Sequence, residues 1–190
     1  MENNGDVNIP KLEGLLTTEE IHKSNNISKI TDKIYLGDID GAREVNYLKQ
    51  EKITHIISLA GKIFSPEYEE GLFKRKIIDI IDFEDENIFQ YFKDCIQFIE
   101  SAKKIYIHCM AGVSRSATIV IAYIMWKEHK NYNDAFNFVK NKRKLIMPNM
   151  GFTLQLKYFD NLLKLNNYNM DLIDFNKCDL KELWKTYGFK

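Results

Sequence analysis

Through the middle of the chain, short β-branched apolar runs alternate with longer stretches whose apolar residues recur every three or four positions. Residues 33–37 (KIYLG), 54–60 (THIISLA), 75–81 and 104–108 (KIYIH) belong to the first kind and predict strands, with Gly37 and Gly61 closing the first two. Residues 42–49, 132–143 and 151–165 predict helices, and a further amphipathic helix is marked by the stripe Phe89, Phe92, Cys95, Ile96 and Ile99. Residues 116–129 are so nearly all apolar that a helix there has to be buried. Strands interleaved with helices predict an α/β domain with helices packed on a central sheet. An acidic loop, 82–87, follows the third strand. Residues 1–26 read as a polar tail with one helical turn after Thr17 and Thr18. The domain spans 27–165, and 166–190 is a polar extension of unknown role, with a terminal helix over 179–187.

Composition narrows the class. A 190-residue chain that is 45% apolar and 13% aromatic suits one packed domain rather than two, or a disordered chain. Its 27 basic and 27 acidic residues cancel, so no global charge points to nucleic acid or a membrane surface. Cys95, Cys109 and Cys178 are too widely spaced for a disulfide framework or a zinc pattern, which suggests a reduced, intracellular setting. The opening MENNGDVNIP is no secretory signal, Glu2 excludes N-myristoylation, and the most apolar run is about half a membrane span. A soluble protein without membrane insertion is expected. Nearly all basic residues are lysines; Arg43, Arg75, Arg115 and Arg143 are the exceptions, and each stands where lysine was the commoner choice.

The chemistry concentrates in His108-Cys109-Met110-Ala111-Gly112-Val113-Ser114-Arg115-Ser116, between a strand and the buried helix. Five residues between Cys109 and Arg115 are enough to bend the backbone into a cup whose amides and helix dipole hold an anion. Gly112 suits a turn with positive φ or a close approach to phosphate oxygens. Arg115 can grip two oxygens with its planar fork, as lysine cannot. The same field favours the thiolate form of Cys109, the form that attacks. A nucleotide-binding loop would need Gly-Lys-Ser/Thr at its end, and that lysine is absent. A lone cysteine would be read as a core residue; the order strand, cysteine, glycine, arginine, helix is what excludes that here.

HCMAGVSRSA closely resembles the signature of the dual-specificity protein phosphatases, a branch of the protein tyrosine phosphatase superfamily. The resemblance extends to KIYLGDIDGA, ITHIISLAG, the acidic loop with IFQYF, and RKLIMPNMGFTLQL, covering about residues 27–165. It implies a twisted mixed sheet flanked by helices, with the phosphate loop between a strand and a buried helix. Cys109 would form a phosphocysteine, with Met110, Ala111, Gly112, Val113, Ser114 and Arg115 holding the phosphate. Ser116 would steady the departing thiolate, His108 would brace the loop by hydrogen bonds, and Asn149 would support it from outside. The family's general acid lies about ten residues before an aromatic of the next helix, which gives Asp82 by counting back from Phe92. Asp85 is the alternative, while Asp79 and Glu84 fit the position less well.

The resemblance further implies metal-independent, cofactor-free hydrolysis of phosphotyrosine and phosphoserine or phosphothreonine in a protein partner. Neutral Met110, Ala111 and Val113 disfavour a phosphoinositide substrate, and an RNA triphosphatase would want a basic surplus. A catalytically silent phosphoprotein-binding module is the rival from another class. Residues 140–144 (KNKRK) read as a solvated helix end, with docking or nuclear targeting as the alternative. Cys95 reads as core, and a disulfide with oxidised Cys109 is the minor alternative. Nothing in the sequence sets the oligomeric state.

Overall fold

Strands buried on both faces determine how the molecule is layered. The computed structural model describes residues 26–187; the turn expected after Thr17 and Thr18 lies outside the described residues. Five strands, β1 (Ile27–Lys29), β2 (Ile34–Gly37), β3 (His55–Ser58), β4 (Lys74–Ile77) and β5 (Ile105–His108), form one mixed sheet in the order β1-β2-β5-β3-β4. β1 runs antiparallel to β2 and the other pairs are parallel. Successive side chains point to opposite faces. Ile34, Leu36, Ile57, Ile105 and Ile107 therefore enter one core, while Tyr35, Ile56 and Tyr106 enter another. Both faces of the central strands are covered, as parallel sheets require.

Helices α1 (Ile39–Arg43) and α2 (Val45–Gln50) bring Ile39, Ala42 and Leu48 to the smaller core. The larger one is closed by α3 (Phe92–Ser101), α4 (Arg115–Lys127), α5 (Tyr132–Lys142) and α6 (Met150–Leu165), with α7 (Leu180–Tyr187) packed on α6. Every residue from Ser116 to Met125 is buried, so α4 is the axis of this layer.

Four features differ from the pattern-based expectation. Strand β1 is not among the expected strands: three residues are too few to show a period, and the strand is defined by its antiparallel pairing with β2. The single helix over 42–49 is two short ones: Asp38 caps the first by accepting from the Gly41 amide, and Glu44 leaves the helical region at ψ 59. Ala42 and Leu48 are six positions apart, out of phase on one continuous helix, and the break lets both face the sheet. The strand expected over 75–81 ends its ladder at Ile77, followed by one more bond from the Ile78 amide to the Ser58 carbonyl. Beyond it the carbonyl of Ile80 accepts from the Arg115 side chain instead. The polar run after 166 hides a packed segment: Met170, Ile173 and Phe175 are buried in the larger core. Phe175 stacks on Phe89 with centroids 5.0 Å apart. Because Phe175 is integral to that core, Phe175→Ala is expected to destabilise the whole domain by about 3–5 kcal/mol, read as a lowered denaturant midpoint with an unchanged slope.

Candidate active site

Strand β5 is central in the sheet, and its carboxyl end delivers Cys109 to the start of α4. In parallel sheets this is where ligands are received. The loop between them is shaped by bonds that pull its carbonyls outward. The Met110 carbonyl accepts from the Ile39 amide (3.2 Å) and that of Val113 from the Met147 amide (2.8 Å). Those of Gly112 and Ala111 accept from the Arg143 side chain at 2.9 and 3.5 Å. In a trans peptide the next N–H points opposite to the carbonyl. The amides of Ala111, Gly112, Val113 and Ser114 are thus turned inward, towards the hollow above Cys109.

The cysteine is 1% exposed, and its Sγ accepts from the Gly112 amide and the Ser116 hydroxyl, both at 3.2 Å. Gly112 has φ +64, and a side chain there would meet the Gly37 carbonyl at 2.5 Å. The glycine is needed both for its conformation and for the close packing behind the loop. Arg115 has Nη1 fixed by the carbonyls of Leu59 (3.0 Å) and Ile80 (3.1 Å). Its Nε is buried without a hydrogen-bond partner, so a donor edge remains for an anion. His108 is fully buried and stacks on Tyr106; its Nδ1 lies 3.3 Å from the Cys109 carbonyl. Burial pushes its pKa down to about 4, which keeps the ring neutral.

The acidic loop meets the cup at Asp82. Its Oδ1 accepts from Ser114 Oγ (2.7 Å) and Asn149 Nδ2 (2.8 Å), and Oδ2 lies 3.8 Å from Arg115 Nε. Asp79 lines a cavity with Gly61, Met110 and Arg115, and Asp85 is exposed. Asn149 also caps α6 through the Phe152 amide, and its own amide donates to Ser114 Oγ. The start of α6 clamps the loop further along. A side chain at Gly151 would strike the Glu84 carbonyl at 1.8 Å, so the two backbones are in contact. Gln155, fully buried, donates to the Glu86 carbonyl (2.8 Å) and accepts from the Phe89 amide (2.9 Å).

Arg143 requires a correction. The KNKRK run is a solvated helix end only in part, because Arg143 is 2% exposed and braces the phosphate loop. The scarcity of arginine in a lysine-rich chain was the one signal of its special use. Gln155 could have been suspected as a polar residue between Leu154 and Leu156 on an apolar helix. The carbonyls of Leu59 and Ile80 carry no sequence signal. Cys95 lies fully buried in the larger core, and burial pushes its thiol up to about 12. Among the described residues no three His, Cys, Asp or Glu side chains gather as a metal site, and no helix is long and apolar enough to cross a membrane.

Comparison with known proteins gives the geometry its context. Residues 34–161 match the family model for the dual specificity phosphatase catalytic domain. The MAP kinase phosphatase with leucine-rich repeats protein 1 of Dictyostelium discoideum is 45% identical over 134 residues, 69% of this chain and 16% of that protein. Dual specificity protein phosphatase 1 of Arabidopsis thaliana is 32% identical over 164 residues, 84% of this chain and 82% of that one. The crystal structure of the human tyrosine phosphatase-like serine/threonine/tyrosine-interacting protein superposes with a TM-score of 0.70 at 34% identity, covering 74% of this chain and 99% of that one. Against three Dictyostelium relatives the chain spans only 16%, 29% and 19% of their length.

Two outcomes follow from the site's construction. Arg143→Met frees the carbonyls of Gly112 and Ala111; it should cost about 1–3 kcal/mol of stability and weaken inorganic phosphate binding, measured by denaturation and titration. His108 stays neutral in the folded state to about pH 4 but charges near 6.5 when unfolded. Stability therefore rises with pH across that window and falls on acidification, by up to about 3 kcal/mol. His108→Gln should flatten this slope when denaturation curves at about pH 5 and pH 7 are compared.

Proposed function

The chain belongs to the dual specificity phosphatase family, and from that premise we propose that it is a metal-independent protein phosphatase acting on phosphotyrosine and phosphoserine or phosphothreonine. The observation that carries the reading is the pairing of a twice hydrogen-bonded Cys109 sulfur with an Arg115 whose buried Nε makes no hydrogen bond and only a 3.8 Å ion pair with Asp82. A phosphate seated in the hollow would take the inward amides and the Nε edge of Arg115 as donors. Cys109 Sγ then attacks phosphorus, forming the S–P bond as the P–O bond to the leaving group breaks.

That leaving oxygen needs a proton, and Asp82 is the carboxyl at the mouth of the cup. In the second step a water attacks phosphorus, gives its proton to Asp82, and expels the thiolate. Gly112 N–H and the Ser116 hydroxyl, already on Sγ, stabilise the charge that returns there. Arg115 holds the equatorial oxygens in both steps. Met110, Ala111, Gly112, Val113 and Ser114 contribute backbone, while His108 and Asn149 position the loop and Asp82. The substrate is a phosphorylated protein, and nothing in the cycle calls on a cofactor.

p-Nitrophenyl phosphate with reductant and EDTA tests the reading. Wild type should turn over and Cys109→Ser should not; no wild-type turnover with phosphopeptide still bound would favour the binding-module rival instead. Asp82→Asn should slow alkyl phosphates by about 10²- to 10⁴-fold and nitrophenolate, a good leaving group, much less. An unchanged alkyl rate moves the acid to Asp85. Ser116→Ala should shift the slow step to thiolate departure, seen as a burst with accumulated phosphoenzyme.

A further inference from the structure

The mouth of the cup carries large apolar side chains that the core does not use. Ile63 is 91% exposed, Phe64 55%, Ile81 52% and Met110 38%. Single exposed apolar residues are ordinary on any surface. These four, however, come from three separate segments and line one cavity of about 150 Å³, together with Ile80 and Arg115. The cavity shares two walls with the phosphate site: Arg115, which grips the phosphate, and Met110, the first residue of the loop after the nucleophile. Anything anchored by its phosphate therefore passes beside it.

The cavity's size and charge narrow the occupant. An apolar cavity of this order holds one group about the size of benzene, which is one leucine or phenylalanine side chain and not a second ring system. Lys62 and Asp79 are its other charged members and offset each other, so a second phosphate gains little there. The continuity with Arg115 favours a group on the same molecule as the phosphate.

We infer that this cavity is a specificity subsite for one apolar side chain flanking the phosphorylated residue of a peptide. This rests on the phosphatase reading above for the placement of the phosphate, and it adds a preference which that reading does not contain. Moving such a side chain out of water onto Phe64 and Ile81 should favour a leucine-flanked over an alanine-flanked substrate by about 5- to 20-fold. Phe64 and Ile81 are exposed, so their truncation leaves both cores intact.

The test scans a single leucine through the positions flanking phosphotyrosine in an otherwise alanine and glycine peptide. Two readouts are taken: kcat/KM with wild type, and affinity for Cys109→Ser by fluorescence anisotropy. Expected is a preference of that size at one position, in both readouts, falling towards unity in Phe64→Ala and Ile81→Ala. Equal peptides, or a preference that survives both truncations, overturns the subsite. Phe64-dependent binding to phosphatidylcholine–phosphatidylserine vesicles with equal peptides also overturns it, assigning the rim to a membrane. If p-nitrophenyl phosphate is not hydrolysed, the catalytic reading fails by itself, and the anisotropy ratio still decides the subsite.

Discussion

The outward tethering of the phosphate-loop carbonyls is the constraint on which the site depends. An anion cup needs several N–H groups pointing at one place, and such groups are held there only if the carbonyls behind them are satisfied elsewhere. Here the partners come from three directions: Ile39 at the start of α1, Met147 before α6, and Arg143 just beyond α5. Gly112 closes the arrangement because its missing side chain lets Gly37 and Arg143 come up behind the loop. The hydrogen-bond groups are spent on the outside so that the inside remains open to a ligand.

A second set of contacts joins the acidic loop to the same centre. Asn149, Gly151 and Gln155 lie on the capping residue and first turns of α6, and each touches a different part of the segment from Asp82 to Phe89. Ser114 belongs to the cup and donates to Asp82. Cup and carboxylate are thereby fixed to a common frame before substrate arrives. In the proposed mechanism, preorganisation of this kind would lower the reorganisation needed when charge shifts from sulfur to oxygen and back. Arg115 follows the same logic, since one nitrogen is anchored by two carbonyls and the remaining edge is aimed by that anchor.

The proposed chemistry and the proposed selectivity occupy different surroundings. Cys109, Ser116 and His108 are buried, where electrostatic contacts are strong and water is scarce. Ile63, Phe64 and Ile81 stand in solvent on loops, where a change of side chain costs the fold little. Such a division would let one reaction be kept while the recognised partner varies.

Four of the five strands, the long helices and the loop from Cys109 to Arg115 could be read from the sequence because each depends on local periodicity or on spacing along a few residues. Cys109, Gly112, Arg115 and Ser116 lie within one turn of loop and helix, so their order alone implies their convergence. Asp82 could be reached by counting, but its contact with Ser114 and Asn149 is made across 32 and 67 positions of sequence. Arg143, Gln155 and the Ile80 carbonyl act through equally distant partners, and a backbone carbonyl has no signature at all. The same holds for Phe175, an isolated aromatic in a polar run that finds Phe89 only in the folded chain. The sequence by itself determined four strands of the sheet, the buried helix and the loop from Cys109 to Arg115. Only tertiary structure decided what holds that loop open and which carboxylate faces it, because those bonds join residues that no local pattern connects.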